Sequence, residues 1–290
     1  MSIEVSLNAI AYFDGHFVSP SSLAIPVADA GFVWGATATD RARTFAGKLF
    51  RLADHLARFR QSCGLARIPQ PVPDDELTRI AERLVAHNYP LQGDLSLILF
   101  ATPGPPGGPP TLGLHTEPIP FARHRHLFTD GATLVIPSVR HATPVDPRAK
   151  VRSRLFWWLA EQEAGDRDRT ASAILLDAAG HVTETAAANF LAVIDGVVTS
   201  PPRATILNGV SLRVVEELCG ELGVPFAERP LTPADCRRAD EAMLTCTTYC
   251  LAGVRRFDGT ELPWPGPLTQ RLLAAWSARV GLDIADQFRA

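Results

Sequence analysis

The stretch from Lys150 to Asn189 reads KVRSRLFWWLAEQEAGDRDRTASAILLDAAGHVTETAAAN, and it decides how the rest of the chain is interpreted. Its first part predicts an apolar helix, and its second part predicts a strand and a hairpin. Lys150 precedes the helix, and Glu184 follows 184 − 150 = 34 residues later. We expect this length of chain to fold back and bring the two side chains near one cavity.

A lysine and a carboxylate placed in this way suit one kind of cofactor. The amine of Lys150 can form an imine, and the carboxylate of Glu184 can pair with a protonated ring nitrogen. Pyridoxal 5'-phosphate (PLP) needs both groups. A lone lysine before a helix is ordinarily a surface residue, so the hypothesis depends on what the rest of the chain supplies.

The composition indicates a soluble globular protein with enough residues for one large domain or two smaller ones. The chain has 290 residues, of which 46% are hydrophobic and 20% charged, and its formal net charge is −3. Basic and acidic residues are mixed, and the basic run Arg123 to His126 is short, so we expect no nucleic-acid partner. No apolar stretch reaches the length of a membrane span, so we expect no membrane partner.

The cysteines indicate a reducing compartment and no metal site. Their number, five, is odd, and the close pair Cys246 and Cys250 lacks the second pair or the nearby histidines that a zinc site needs. The first residues, MSIEVSLNAI, show no basic region followed by an apolar run, so we expect no signal peptide. These observations favour a cytoplasmic protein.

The first part of the chain alternates strand and helix patterns, which predicts an α+β arrangement. Asp14-Gly15 predicts the turn of an N-terminal hairpin. Asp54 is a plausible N-cap for the helix that runs through Cys63. The run Pro103 to Pro110, PGPPGGPP, fits neither a helix nor a central strand. We interpret it as either a linker or a long surface loop.

Two places in the second half are suited to a phosphate group. Gly209 precedes a predicted helix with an apolar stripe, and Ser211 lies in its first turn. Backbone N–H groups and the helix dipole attract anions at such a position. A predicted strand also ends in the polar cluster Cys246-Thr247-Thr248. Each observation alone is weak, since most junctions between a glycine and a helix bind nothing.

Five segments taken in order resemble the class IV, fold-type IV, PLP enzymes. This family includes branched-chain and D-amino-acid aminotransferases, (R)-selective amine transaminases and 4-amino-4-deoxychorismate lyase. The resemblance covers the chain from about Asp29 to Thr269. The segments are GKLFRLADHLARF, AKVRSRLFWWLAEQEA, HVTETAAANFLAV, ILNGVSLRVV and ADEAMLTCTTYC.

The resemblance implies a role for particular residues in each segment. It implies that Lys150 holds PLP as a Schiff base and acts as the catalytic base, with the amino group carried as pyridoxamine phosphate. It implies that a guanidinium grips the phosphate and that a glutamate pairs with the ring nitrogen. The implied cofactor-binding residues are Arg58, Lys150, Glu184, Asn189, Gly209, Val210, Ser211 and Thr247.

The resemblance also implies a fold and partners. The expected fold class is an α+β, two-domain, fold-type IV architecture like that of D-amino-acid aminotransferase. A smaller N-terminal α/β sandwich would span residues 1–125, and a larger β-barrel-like PLP-binding domain would span residues 126–290. A homodimer is expected, with Trp157 and Trp158 available for its packing. The expected partners are an amino donor and a 2-oxo acid acceptor.

The chain departs from the family where the substrate is recognised. Phe32 stands where many aminotransferases have a tyrosine, and the strand around Ile98 lacks the Tyr-x-Arg of branched-chain enzymes. The proline-rich loop has no Arg-x-His pair like that of D-amino-acid aminotransferases. Phe32, Arg154 and Thr248 are the candidate substrate residues. These residues do not indicate whether the amino donor is an α-amino acid or a plain amine.

Three functions remain after these comparisons of motifs. Aminotransferase is the first, because transamination is the commoner activity in this fold. The second is the lyase, because Lys150-Val-Arg-Ser153-Arg154-Leu155 resembles its Lys-x-x-Asn-Arg-Leu pattern. A binding protein without catalysis is third, and the presence of both Lys150 and Glu184 argues against it. The chain has no Gly-x-Ser-x-Gly and no Gly-x-Gly-x-x-Gly, so the motifs typical of serine hydrolases and of dinucleotide-binding folds are absent.

Overall fold

A computed structural model describes residues 8–70, 72–141 and 145–289. The chain divides into two compact units. Unit 1 comprises Met1–Ile119 together with Ala149–Ser153, and unit 2 comprises Pro120–Arg148 together with Arg154–Ala290. Lys150 therefore belongs to unit 1, although it lies far beyond residue 119 in the sequence. The domain boundary at residue 125 stays a prediction.

Unit 1 contains a six-stranded antiparallel sheet and two long helices. The strand order is β2-β1-β6-β5-β3-β4. The strands are β1 (Ala11–Phe13), β2 (His16–Val18), β3 (Ala38–Phe45), β4 (Lys48–Leu49), β5 (Leu95–Thr102) and β6 (Thr111–Pro118). The helices are α1 (Ala30–Val33), α2 (Leu52–Leu65) and α3 (Asp74–Gln92), and a 3-10 turn covers Pro20–Ser22.

The core of unit 1 lies between one face of this sheet and the helices α2 and α3. Alternate side chains of a strand point to opposite faces, so Ala38 and Ala42 of β3 share the helix side with Leu97 of β5. They pack against an inward stripe of α2 that includes Leu56 and Phe59. Asp40 lies between Ala38 and Ala42 in the strand and therefore faces the same side.

Two local predictions for unit 1 have clear outcomes. The hairpin turn at Asp14-Gly15 is confirmed, with φ of 43° and 93°, and β1 pairs with β2 on either side of it. The N-cap predicted at Asp54 is wrong, because α2 begins earlier and its N-cap is Arg51. The proline-rich run is a hairpin loop rather than a linker, because Thr102 of β5 pairs with Thr111 of β6.

Unit 2 contains a nine-stranded sheet surrounded by helices. The helices are α4 (Phe121–His124), α5 (His126–Thr129), α6 (Leu155–Arg167), α7 (Val210–Glu221), α8 (Pro233–Arg237), α9 (Pro267–Val280) and α10 (Ile284–Arg289). The strands of its first part are β7 (Ala132–Val135), β8 (Ala171–Leu176), β9 (Val182–Thr185) and β10 (Asn189–Ile194). The remaining strands are β11 (Val197–Ser200), β12 (Phe226–Glu228), β13 (Glu241–Cys246), β14 (Cys250–Phe257) and β15 (Thr260–Glu261).

Six of these strands close into a ring. The order β10-β13-β14-β7-β8-β9 returns to β10, because Asn189 of β10 pairs with Glu184 of β9. The fold class predicted from the sequence, an α+β fold with a barrel-like C-terminal part, is confirmed. The pair that closes the ring joins two of the residues that the family resemblance selected.

The two tryptophans that were expected at a subunit interface lie on different faces of helix α6. Trp157 is only 7% exposed and packs with Ala160, Ala164 and Ala173 inside unit 2, so the prediction for Trp157 is wrong. Trp158, the next residue, is 62% exposed. Successive helical residues lie about 100° apart, which places them on different faces.

In the part of the chain that the structure describes, no helix is both long enough and apolar enough to cross a membrane. The expectation of no signal peptide concerns the first residues, of which residues 1–7 lie outside the described part.

Candidate functional site

Lys150 is fixed through its backbone to two elements of unit 1. Its N–H group donates to Oγ of Ser62 on α2 at 3.0 Å, and its carbonyl accepts from the N–H of Thr39 on β3 at 2.9 Å. Val151 forms an isolated bridge with Ala38, also on β3. These bonds hold Lys150 in an extended segment along the edge of the sheet, five residues before α6 begins.

Arg58 lies on the same helix, one turn before Ser62. The Ser62 hydroxyl donates to the carbonyl of Arg58 at 2.9 Å, so one serine connects Lys150 to the turn that carries Arg58. The guanidinium itself forms a two-point ion pair with Asp40. Its Nε lies 2.8 Å from Oδ2 and its Nη2 lies 2.8 Å from Oδ1. Two parallel bonds of this kind fix the plane of the guanidinium.

Asp40 is fully buried and is held by cations and hydrogen bonds. Burial alone would raise the pKa of its carboxyl, but the Arg58 charge and the hydrogen bonds from His55 and Arg58 hold that pKa well below its ordinary value. Nδ1 of His55 lies 2.7 Å from Oδ1 of Asp40. Asp40 is therefore a carboxylate at neutral pH.

His55 stays neutral in this cluster. Burial lowers its pKa, and the charges of Arg58 and Lys150 lower it further, against the opposing effect of Asp40. A neutral imidazole beside a carboxylate donates from the nitrogen that faces it, so the Nδ1–H of His55 donates to Asp40. Nη1 of Arg58 has no hydrogen-bond partner among the described residues, and it is the part of the guanidinium that remains for an anion.

In unit 2, Glu184 is fixed by neutral donors. Its Oε2 accepts from Nδ2 of Asn189 at 2.9 Å, and its Oε1 accepts from the backbone N–H of Leu207 at 3.1 Å. The same Nδ2 donates to the carbonyl of Leu207 at 2.9 Å. One asparagine thus ties the carboxylate to the loop that leads into α7.

Gly209 is required by this arrangement. A Cβ built on Gly209 would lie 2.0 Å from Oδ1 of Asn189, so any side chain there would displace the amide that holds Glu184. Gly209 is also the N-cap of α7, with φ of −64° and ψ of 135°. No side chain caps α7, and its first turn contains no acidic residue. The N–H groups of Val210 and Ser211 at this end are suited to an anion.

Thr247 and Thr248 lie in the turn between β13 and β14. Thr245, two residues earlier, pairs with Asn189 of β10, and its hydroxyl donates to the carbonyl of Cys250 at 2.7 Å to close the turn. The turn that contains Thr247 therefore extends from the part of β13 beside Asn189.

The two remaining candidates occupy different positions. Phe32 is on the short helix α1 of unit 1 and is 72% exposed. Arg154 belongs to unit 2, immediately precedes α6, and donates to the carbonyl of Ala186 in the loop between β9 and β10. Roles for both residues stay predictions.

Within each unit, the structure brings the predicted residues together. Lys150 and Arg58 are linked in unit 1, and Glu184, Asn189 and Gly209 are linked in unit 2. Sequence reasoning missed the residues that support Lys150 and Arg58: Asp40, His55 and Ser62. A signal for His55 and Ser62 was present, because they are spaced with Arg58 at i, i+3 and i+7 on a single face of α2.

Comparisons with known proteins agree on one family. Residues 37–257 match the family model described as amino-transferase class IV. A putative branched-chain-amino-acid aminotransferase of Methanocaldococcus jannaschii is 30% identical, over 90% of this chain and 93% of that protein. A D-alanine aminotransferase of Listeria monocytogenes is 26% identical, over 89% of this chain and 92% of that protein.

Solved structures show the same fold. The branched-chain amino acid aminotransferase of Escherichia coli superposes with a TM-score of 0.87 at 23% identity, covering 95% of each chain. The branched-chain aminotransferase of the archaeon Thermoproteus uzoniensis, solved with norvaline, has a TM-score of 0.83 at 25% identity, covering 94% of each chain.

Proposed function

Since the chain belongs to the class IV aminotransferase family, we propose that it uses PLP, attached at Lys150, to move an amino group between an amino acid or amine and a 2-oxo acid. The observation that carries this proposal is the pair of pre-formed groups within the two units. Unit 1 presents Lys150 beside the oriented guanidinium of Arg58, and unit 2 presents the fixed carboxylate of Glu184 beside the uncapped end of α7.

The residues present fit such a cofactor. A phosphate dianion is best held by a guanidinium together with backbone N–H groups and hydroxyls. Arg58, the N–H groups of Val210 and Ser211, and the hydroxyl of Thr247 are of these types. The absence of a side chain at Gly209 keeps the approach to the N-terminus of α7 open. A buried carboxylate held by two neutral donors, as Glu184 is, suits a protonated ring nitrogen.

When bound, PLP supplies an aldehyde that can take up an amino group and a ring that withdraws electrons from the substrate. The ε-amine of Lys150 would attach the cofactor and then accept and return the proton at the substrate carbon. Glu184 would accept a hydrogen bond from the ring nitrogen, and Asn189 would keep that carboxylate oriented. Asp40 would keep the Arg58 guanidinium facing the phosphate.

The relatives favour transamination over the lyase reaction, because those described above are named as aminotransferases. One is named for branched-chain amino acids and another for D-alanine, so both L- and D-amino acids are candidate donors. We propose that Phe32, Arg154 and Thr248 lie near the substrate. Pyruvate released from aminodeoxychorismate without any 2-oxo acid would instead support the lyase.

We further propose a homodimer in the cytoplasm. The exposed apolar side chains of α6 support the dimer: Leu155 is 71% exposed, Trp158 62% and Leu159 51%. Such a cluster on one helix is typical of a protein–protein contact. The five free cysteines are consistent with a reducing compartment. Sedimentation equilibrium of the purified chain measures the assembly.

The attachment residue can be tested sharply because the sequence contains two lysines, Lys48 and Lys150. Purified protein supplied with PLP should show a visible absorption band that borohydride abolishes, and mass spectrometry of the reduced protein should place the adduct on Lys150. Lys150→Ala should lose the band and lower amino transfer by about 10²–10⁴-fold or more, since a positioned base is lost.

Lys48→Ala is the matched control, because Lys48 is an exposed residue of β4. It should keep both the band and the activity. An adduct on Lys48, or a protein that shows no band with added PLP, would contradict the proposal.

A further inference from the structure

The face of the unit 1 sheet opposite α2 and α3 carries a group of charged side chains. Arg41 of β3 pairs with Ile98 of β5, and Ile98 pairs with His115 of β6, so the three residues lie side by side across three strands. Since Asp40 faces α2, its neighbour Arg41 faces the other side of the sheet. The function proposed above uses none of these residues.

Hydrogen bonds hold this group in place. Nη1 of Arg41 donates to Oγ of the buried Ser96 at 3.0 Å, and Nη2 lies 3.3 Å from Oε2 of Glu117. Nδ1 of His115 lies 4.0 Å from Oε1 of the same glutamate. Arg41 is therefore held on one side by the buried hydroxyl of Ser96 and on the other by the more exposed carboxylate of Glu117.

Arg152 adds a second guanidinium to the group. Partial burial lowers its pKa, the charge of Arg41 lowers it further, and Glu117 opposes both effects. The charge of Arg152 also lowers the pKa of His115. Among the described residues, Arg152 has no ion-pair partner. It is thus a cation near Arg41, and no carboxylate of the described residues forms an ion pair with it.

Among the four described residues of this group, Arg41, Arg152, His115 and Glu117, positive charge exceeds negative charge. Burial lowers the pKa of His115, and Arg41 and Arg152 lower it further against the effect of Glu117, so the imidazole is neutral at pH 7. Two guanidinium groups, which stay protonated in proteins, then face the single carboxylate of Glu117. One further carboxylate would balance the charge.

The excess charge lies close to Lys150. The N–H of Arg152 donates to the carbonyl of Thr37 at 2.9 Å, so Arg152 belongs to the extended segment that holds Lys150 against β3. Two residues of extended chain span at most about 7 Å. A substrate whose amino group is handled at Lys150 can therefore present an acidic group to Arg152.

We infer that Arg41 and Arg152 form a subsite for a carboxylate of the substrate, with Glu117 and His115 as its rim. The subsite makes amino acids and 2-oxo acids the preferred substrates over plain amines. This inference rests on the function proposed above, because it takes Lys150 as the place where the amino group is handled.

Kinetics with a panel of substrates tests the subsite in the holoenzyme. The donors are L- and D-alanine, L- and D-glutamate and 1-phenylethylamine, and the acceptors are pyruvate and 2-oxoglutarate. Arg152→Met and Arg41→Met should raise the KM of the carboxylate-bearing substrates by about 10- to 100-fold, the loss of a charge-assisted hydrogen bond. Any turnover of 1-phenylethylamine should keep its KM. A larger effect on glutamate than on alanine would assign the subsite to a side-chain carboxylate, and an equal effect would assign it to the α-carboxylate.

Glu117→Gln provides a test with the opposite sign. Removing the negative charge at the rim should lower the KM of the carboxylate substrates, while Arg79→Met, an exposed arginine of α3, should change nothing. Unchanged KM values in both arginine variants, or equal increases for the amine and the amino acids, would overturn the inference. Arg152→Met keeps the test available if Arg41→Met does not fold, since Arg152 has no ion-pair partner in the described chain.

A second measurement does not depend on activity. The arginine reagent phenylglyoxal should label Arg152 and Arg41, and 2-oxoglutarate or pyruvate should slow that labelling without slowing the labelling of Arg79. Absence of such protection would overturn the subsite. A wild-type protein that transfers no amino group but still shows the protection would contradict the proposed function and leave the subsite standing.

Discussion

The unit 1 half of the candidate residues and the unit 2 half are held by different forces. In unit 1, Arg58 is fixed by a buried carboxylate, Asp40, with a neutral histidine as a further donor. In unit 2, Glu184 is fixed by a side-chain amide and a backbone N–H, and the ring of strands closes at the same pair of residues. One half depends on the pairing of buried charges, and the other on neutral hydrogen bonds and close packing.

This difference has consequences for what each half tolerates. A buried ion pair is costly to break, because the remaining charge is left without a partner in a site that excludes water. A network of neutral donors loses less when one bond is removed, but it is sensitive to shape, as the close approach of Gly209 to Asn189 shows. Charge changes should therefore damage the unit 1 half most, and small changes of volume should damage the unit 2 half.

The largest expected effect is that of Asp40→Asn. The substitution keeps the size of the side chain but leaves the Arg58 guanidinium buried without its counter-charge. We expect the free energy of unfolding of unit 1 to fall by about 3–5 kcal/mol, the usual result of removing one partner of a buried pair. Urea unfolding followed by tryptophan fluorescence and circular dichroism measures this.

The control is Asp54→Asn on α2, the helix that carries Arg58. Asp54 pairs with Arg51, and both side chains are about 30% exposed. A partly exposed pair contributes about 0–1 kcal/mol. Equal losses for the two variants would show that the burial of Asp40 is not what makes its ion pair important.

The second expected effect is that of Gly209→Ala. The added methyl group would meet Oδ1 of Asn189 and displace the amide from Glu184 and Leu207. We expect a loss of about 1–3 kcal/mol in the free energy of unfolding of unit 2, the cost of leaving buried polar groups without partners. Gly165→Ala in α6 is the control, since a Cβ there meets nothing within 4 Å.

A double-mutant cycle separates this mechanism from general crowding. If Gly209→Ala acts only by moving the amide, it should cost almost nothing in an Asn189→Ala background, and the two losses should not add. Additive losses would show that the methyl group disturbs a different neighbour.

The sequence predicted the residues that would carry the chemistry better than it predicted the residues that hold them in place. Lys150, Glu184 and Gly209 were selected because they stand in recognisable segments, and the DG turn at residues 14 and 15 follows from local backbone preference. Asp40 was not among the residues selected from the sequence. Its role depends on which face of β3 it occupies and on which helix covers that face, and the local pattern specifies neither.

Contacts between distant segments account for most of what was missed. Val151 bridges to Ala38, and Asn189 of β10 pairs with Thr245 of β13. The first contact places the Lys150 segment in unit 1, although the sequence associates it with the helix that follows. Such pairings depend on long-range packing, so periodicity within a segment does not predict them. His55, Arg58 and Ser62 form a polar stripe on α2. This stripe in the sequence indicates that this face of the helix binds polar groups and does not only pack against the core.

The smallest expected effect is a pH dependence that belongs to the unit 1 half. The folded-state pKa of His55 lies below its ordinary value of 6.5. Well above pH 6.5 the histidine is neutral in both the folded and the unfolded chain. As the pH falls below 6.5, the unfolded chain binds a proton that the folded chain refuses, so the free energy of unfolding falls, by at most about 1.4 kcal/mol per pH unit.

His55→Gln should reduce this dependence between pH 5 and 6.5, because glutamine does not titrate. The burial-lowered pKa values of His115 and His141 act in the same direction, so a smaller dependence should remain. His16→Gln, at an exposed position of β2, should leave the wild-type dependence unchanged. The two described donors to Glu184, Asn189 and Leu207, do not titrate. A dependence that persists in full in His55→Gln would therefore mean that the protonation lies outside the Asp40 cluster and that the contrast between the halves does not extend to pH.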